Sequence, residues 1–232
     1  MLTKHKDDAP VIAIDGPSGS GKGVITHRLA RELGFHILDS GALYRLIGLA
    51  ARKRNVDFAD EAQLAQLART LHVSFDPTDN PEEPLAILLD GEDVTHAIRT
   101  DEAGTDASRV APIAVVRDSI KTLQRSFKKP PGLVADGRDM GTVVFTDAAV
   151  KIYLTASAEA RAERRYKQLI DKDISVSLHD LFLSIQARDA RDMNREVAPL
   201  KPAEDAVIID STALTIDEVF EQVHSIVTER LG

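Results

Sequence analysis

The stretch Val11-Ile-Ala-Ile-Asp-Gly-Pro-Ser-Gly-Ser-Gly-Lys-Gly-Val24 decides the fold. Val11 to Ile14 is apolar at consecutive positions, the pattern of a strand buried on both faces. After a glycine-rich loop, Lys22 to Leu33 predicts a helix, with Ile25, Leu29 and Leu33 four apart and Gly34 as its stop. Gly16, Gly21 and Lys22 fit a phosphate-binding loop, which asks for glycine, four residues, glycine, lysine, then Ser or Thr. The hydroxyl position holds Gly23 instead, and Val24 follows. Glycines let the backbone curl so that its N–H groups converge on an anion, and the helix start adds partial positive charge. The expected phosphate contacts are therefore Gly16, Pro17, Ser18, Gly19, Ser20, Gly21, Lys22, Gly23 and Val24. A glycine-rich turn without this role is the alternative, which the strand–loop–helix setting disfavours.

Outward from the loop, the rhythm repeats. Phe35 to Leu38 reads as a second strand ending at Asp39-Ser40-Gly41, with a helix from about Ala42 to Arg54. Gly132 to Ala135 runs into Asp136-Gly-Arg-Asp139, Val150 to Leu154 into Thr155-Ala-Ser157, and Ala206 to Ile209 into Asp210-Ser-Thr212 before a closing helix. Buried strands that end in polar residues and lead into helices predict an α/β fold, a parallel sheet covered on both faces. Ligands of such sheets sit beyond the carboxyl ends of the strands, so Asp39, Ser40, Arg138 and Asp139 are expected near the glycine loop.

The middle of the chain departs from this pattern. Leu71 to Phe75 and Leu85 to Leu89 are strand-like and flank a turn-rich segment from Asp76 to Pro84; Asp90-Gly91 marks another turn. Asp101 to Lys128 reads as helical, interrupted at Pro112. Residues 69–130 are expected to form an inserted subdomain, 10–68 and 131–232 the core, and 1–9 a frayed tail.

The 232 residues suit one large domain or a domain with an insertion. With no cysteine, the chain offers no disulfide framework and no thiolate chemistry, which suits a cytoplasmic protein. No segment is apolar enough to span a membrane. A net charge of −8 argues against a nucleic-acid partner, so any anion must be held by a local group of cations.

Such groups exist. Ser177 and Asp180 resemble a capping box, and Leu178, Leu181, Phe182 and Ile185 form a helical stripe expected to be buried. The same stripe continues into Arg188, Asp189, Asp192 and Arg195. Unpaired charge is prohibitive in a core, so this half is expected to line a polar cleft or meet solvent. A solvated helix end with an Arg188–Asp192 pair reads equally well. Arg161, Arg164 and Arg165, diluted by Glu159 and Glu163, read as a solvated helix. Arg138 follows a buried strand, and Arg45 sits one turn into the helix after Asp39. Arg45, Arg138 and Arg195 thus suggest a second anion site beside the glycine loop. The histidines show no metal spacing, and neither a dinucleotide fingerprint nor a GTPase base-reading Asn-Lys-x-Asp is present.

Four segments resemble the bacterial cytidylate kinase family: Ile14-Asp-Gly-Pro-Ser-Gly-Ser-Gly-Lys-Gly23, Leu38-Asp-Ser-Gly-Ala-Leu-Tyr-Arg45, Ala135-Asp-Gly-Arg-Asp-Met-Gly-Thr-Val-Val-Phe145 and Arg188-Asp-Ala-Arg-Asp-Met-Asn-Arg195. The resemblance runs from about residue 10 to the end. It implies a five-stranded parallel sheet of the P-loop type, an inserted subdomain for the nucleoside monophosphate, and a helical lid at about 157–190. The implied reaction moves the γ-phosphoryl group of ATP, with Mg2+ held mainly by phosphates and water, to CMP or dCMP in a monomer. By motif, Ser40, Arg45, Arg138 and Arg195 would hold the CMP phosphate, Arg188 and Asp192 the sugar, and Ser108, Arg117 and Asp139 the cytosine, with Asp39 also in the CMP site. Arg161, Arg164 and Arg165 would belong to the lid over ATP, and with Lys22 and Arg138 would neutralise the phosphates. The departure lies at Val24, where the family has threonine. Rival readings are a kinase for UMP or AMP and a nucleotide-binding regulator that has lost catalysis.

Overall fold

The computed structural model describes residues 9–78, 85–171 and 173–232. The expected tail, apart from Ala9, and residues 79–84 of the turn-rich segment lie outside them. The chain divides into two compact units, one holding residues up to His36 with Lys129–Gly232 and the other Ile37–Lys128.

In the first unit, β1 (Val11–Asp15) is buried at every position. It runs parallel to β6 (Leu133–Gly137) and β7 (Val150–Thr155), and β7 pairs in turn with β8 (Val207–Asp210). The order β2-β6-β1-β7-β8 includes β2 (His36–Asp39) at the edge, where the chain leaves this unit. The α1 helix (Lys22–Leu33) ends on Gly34 at φ 66, a left-handed conformation that glycine adopts without strain. It packs with α8 (Ile216–Leu231) and against β6, while α8 also meets β7. The remaining helices here are α6 (Ala158–Ile170) and α7 (Leu178–Met193). Ile12, Ile14, Ile25 and Leu29 lie in its core, all fully buried.

The second unit holds α2 (Ser40–Lys53), α3 (Glu61–Arg69), α4 (Asp101–Val110) and α5 (Ala114–Ser126) with a small antiparallel sheet, β3 (Val73–Pro77), β4 (Leu85–Leu89) and β5 (Glu92–Asp93). Asp90 and Gly91, at φ 52 and 83, make the two-residue turn between β4 and β5. Gly48 lets α2 approach α4, since a Cβ there would come 2.6 Å from the Asp106 Cβ. Buried Asp106 accepts both arms of the Arg52 guanidinium across the same contact. This unit therefore includes α2 and α3, which differs from the expectation that they belong to the core. The reason is packing: α2 meets α4, and α3 meets α5.

Two expectations change in α7. Leu178 is exposed, and Leu181, Phe182 and Ile185 are half-buried, while Asp192 is buried at 3% exposure. The helix buries its charged end rather than its apolar stripe. Paired charge makes this possible, as the partners of Asp192 and Asp189 show below. At the helix start, the Ser177 hydroxyl accepts from the Asp180 N–H at 3.3 Å. The full reciprocal capping box occurs in α8, between Thr215 and Glu218.

Candidate functional site

The register of β1 between β6 and β7 places Asp15 and the glycine loop at the carboxyl end of the sheet. The loop keeps its shape through three glycines. Gly16 has φ 151, and a Cβ there would overlap the Leu154 carbonyl oxygen. Gly19 and Gly21 have φ 79 and 95, so side chains would strain the backbone at both. Lys22 is buried, and its ammonium donates to the Pro17 carbonyl at 2.8 Å, inside its own loop. The Ser18 carbonyl accepts from Arg161 Nη1 at 3.0 Å, and its hydroxyl meets Arg188 Nη1 at 3.2 Å. The Ser211 hydroxyl donates to the Ser20 carbonyl at 3.3 Å. The Ser20 hydroxyl is itself buried without a hydrogen-bond partner among the described residues. Gly23 lies in the first turn of α1, and Val24 beside it is 52% exposed, so its side chain is not there to fill a core.

A second electropositive cluster lies in the same unit. Arg138 follows β6, and its Nε donates to Asp192 Oδ2 at 2.8 Å, while Arg195 Nη2 donates to Asp192 Oδ1. Burial pushes the Asp192 carboxyl up, but Arg138 and Arg195 more than offset this, and the group sits below its ordinary value. The structure pairs Asp192 directly with Arg138 and Arg195, and the charge of Arg188 also lowers its carboxyl. Asp139 is buried at 3% exposure beside this cluster.

Arg161 is not a solvated side chain. It is buried, forks onto the Asp189 carboxylate and donates through Nε to the Ala156 carbonyl at 3.0 Å. It ties α6 to α7 and braces the glycine loop through Ser18. Arg164 donates to the carbonyl and hydroxyl of Ser211. Arg165 is exposed.

The second unit carries the remaining expected residues. Asp39 caps α2, its Oδ1 accepting from the Ala42 N–H at 2.9 Å. This cap starts the helix at Ser40, two residues before the expected start. The buried Ser40 hydroxyl accepts from Gln124 Nε2 at 3.0 Å. Arg45 donates to the Ile98 carbonyl at 2.6 Å. Ser108 donates back to the Gly104 carbonyl within α4 at 3.0 Å. Arg117 is buried, donates to the Ala111 carbonyl at 3.1 Å and lies 5.7 Å from the centre of the Tyr44 ring. In each case a hydrogen bond within this unit orients the side chain.

Sequence reasoning missed the role of Asp15. It is 4% exposed, and its carboxylate accepts from the backbone N–H groups of Met140 at 2.7 Å and Gly141 at 2.8 Å. Burial pushes its carboxyl up to about 6 against those two hydrogen bonds; Asp139 adds to the rise and Lys22 opposes it. The available signal was a carboxylate closing an otherwise apolar strand.

The chain matches the family model described as cytidylate kinase over residues 12–229. It is similar to the cytidylate kinase of Aeromonas salmonicida, 53% identical over 224 residues that cover 97% of this chain and 96% of that protein. It is 57% identical to that of Pseudomonas savastanoi pv. phaseolicola over 220 residues, covering 95% and 96%. The cytidylate kinase of Cupriavidus necator is 54% identical over 213 residues, covering 92% and 93%.

Proposed function

We infer that this chain, which belongs to the cytidylate kinase family, transfers the γ-phosphoryl group of ATP to CMP or dCMP, giving ADP and CDP or dCDP. The observation that carries this reading is the family match across nearly the whole chain, on a glycine loop whose lysine is already inside the cradle.

Phosphoryl transfer needs positioning and neutralisation of charge more than covalent chemistry. Lys22 exchanges the Pro17 carbonyl for the outer phosphates of ATP, while the loop N–H groups and the start of α1 hold the rest. Arg138 and Arg195, held by Asp192, offer guanidinium edges to the phosphate of CMP. By the family resemblance, Ser40 and Arg45 serve the phosphate of CMP, and Ser108 and Arg117 the base. Arg188 and Asp192 take the sugar. Asp139 accepts from the exocyclic amine of cytosine; uracil presents an acceptor at that position and is rejected. Arg161 braces the loop, and Arg164 and Arg165 lie further along the same helix as lid residues.

Magnesium would enter with ATP. Gly23 supplies no hydroxyl, so phosphate oxygens and water would carry most of its coordination. When bound, it would help neutralise the charge of the phosphates. No helix among the described residues is long and apolar enough to cross a membrane. The family resemblance carries the proposal of a cytoplasmic monomer.

A coupled ADP-release assay with ATP tests the reading across CMP, dCMP, UMP and AMP. ADP formation with CMP and dCMP, and little with UMP or AMP, is expected. ATP binding without acceptor-dependent ADP release would point instead to a regulator that has lost catalysis.

A further inference from the structure

Phosphoryl transfer as outlined above gives no task to Asp15, a buried ionisable group. Asp15 ends β1 one residue before the glycine loop, and each of its oxygens accepts one backbone N–H, from Met140 and from Gly141. These two residues directly follow Arg138 and Asp139. They open a wide turn in which the Val144 N–H donates to the Asp139 carbonyl at 3.2 Å and the Phe145 N–H to the Met140 carbonyl at 2.7 Å. Turns of this width recur at functional sites. The fit is tight: a Cβ at Gly141 would come 3.4 Å from Asp15 Oδ2 and 3.2 Å from the Lys151 side chain.

Holding a carboxylate here is costly. It is buried, Asp139 repels it, Lys22 attracts it, and Tyr153 on β7 faces it as a further ionisable group. A neutral cap would close the turn with less penalty. What a two-oxygen acceptor adds is direction, because it fixes both N–H groups and therefore the peptide planes that follow Asp139.

We propose that Asp15 is a positioning residue: by holding the Met140 and Gly141 N–H groups it sets the direction in which Asp139 presents its carboxylate to the amine of the acceptor base. This rests on the base-reading role of Asp139. It also links that reader to the glycine loop, since Asp15 and Gly16 are adjacent in the chain.

Steady-state kinetics with saturating ATP compare CMP with UMP for the wild type, Asp15→Asn and Asp139→Ala at pH 7.5. Asp15→Asn is expected to lower the ratio of kcat/KM for CMP over UMP by about tenfold, within the roughly hundredfold that a 1 Å misplacement can cost. The KM for ATP stays within about twofold, a split that general damage to the fold would not produce. A ratio within twofold of wild type, where Asp139→Ala collapses it, overturns the proposal and leaves the base-reading role standing. A ratio that Asp139→Ala leaves unchanged removes that role, and the proposal with it. If Asp15→Asn does not fold, the wild type carries the test. Between pH 8 and 5.5 the amide proton shifts of Met140 and Gly141 should move with one shared midpoint, accompanied by a falling CMP over UMP ratio. Amide shifts that stay still, or a ratio that does not follow them, overturn it.

Discussion

Asp192→Asn removes one charge from a cluster that holds two arginines. The Asp192 side chain is 4% exposed, Arg138 17% and Arg195 13%, so both guanidinium groups would be left part-buried and facing each other. Removing one partner of a fully buried ion pair costs about 3–5 kcal/mol. Residual exposure and the asparagine carbonyl, which can still accept one hydrogen bond, reduce this to about 2–3 kcal/mol. For a chain of this length each kcal/mol moves the thermal midpoint by roughly 2–4 °C, so a fall of about 8 °C is expected. The sign with pH follows from the lowered carboxyl: its contribution is complete above the ordinary value of 3.8 and is lost as pH falls through the folded value. Thermal unfolding at pH 7.5 without nucleotide therefore reads the full effect. Arg138→Lys should cost less in the Asp192→Asn background than in the wild type, because its charged acceptor is already gone. A midpoint within 2 °C of wild type would refute the claim that Asp192 organises these arginines.

Val24→Thr restores a hydroxyl at an exposed site, 52% open, and should tighten ATP binding by about tenfold, the low end for a hydrogen bond to a charged acceptor, with little change in Tm; titration calorimetry checks this, and an unchanged Kd would mean that Ser18, Ser20 or water already serves. Gly16→Ala should abolish ATP binding or folding, since its Cβ would overlap the Leu154 carbonyl oxygen; wild-type ATP affinity in a folded variant would contradict the loop geometry. Asp15 has its carboxyl raised from 3.8 to about 6, so the native state takes up a proton before the unfolded state does as pH falls. Wild type should therefore gain about 1.4 kcal/mol of unfolding free energy relative to Asp15→Asn between pH 7.5 and pH 5, measured by urea denaturation. Arg161→Lys keeps the charge but loses the fork onto Asp189 and should weaken ATP binding more than it lowers kcat at saturation; an effect on kcat alone would make Arg161 a group that touches the reacting phosphates.

The local code was strong where one short stretch carried all the information. The bounds of α1 followed from apolar spacing and Gly34, and the β4–β5 turn from Asp90-Gly91. The parallel strands followed from continuous apolar runs that end in polar residues. Distant partners were not legible. Asp192 is buried because Arg138, 54 positions earlier in the chain, meets it, and Asp15 matters because Met140, 125 positions later, returns to it. Arg161 looked solvated because its neighbours Glu159 and Glu163 are the charges visible in sequence, whereas its partner Asp189 lies on another helix. The grouping of α2 and α3 with the middle region likewise depends on helix contacts that no local pattern encodes.

In the proposed reaction the γ-phosphoryl group moves from ATP held by the loop around Lys22 to the phosphate of CMP. Incubation with γ-labelled ATP, Mg2+ and CMP, followed by separation of the nucleotides, tests this directly. Label is expected in the β-phosphate of CDP, dependent on CMP and lost in Lys22→Ala. Label recovered as inorganic phosphate whether or not CMP is present, with CMP unchanged, would contradict it.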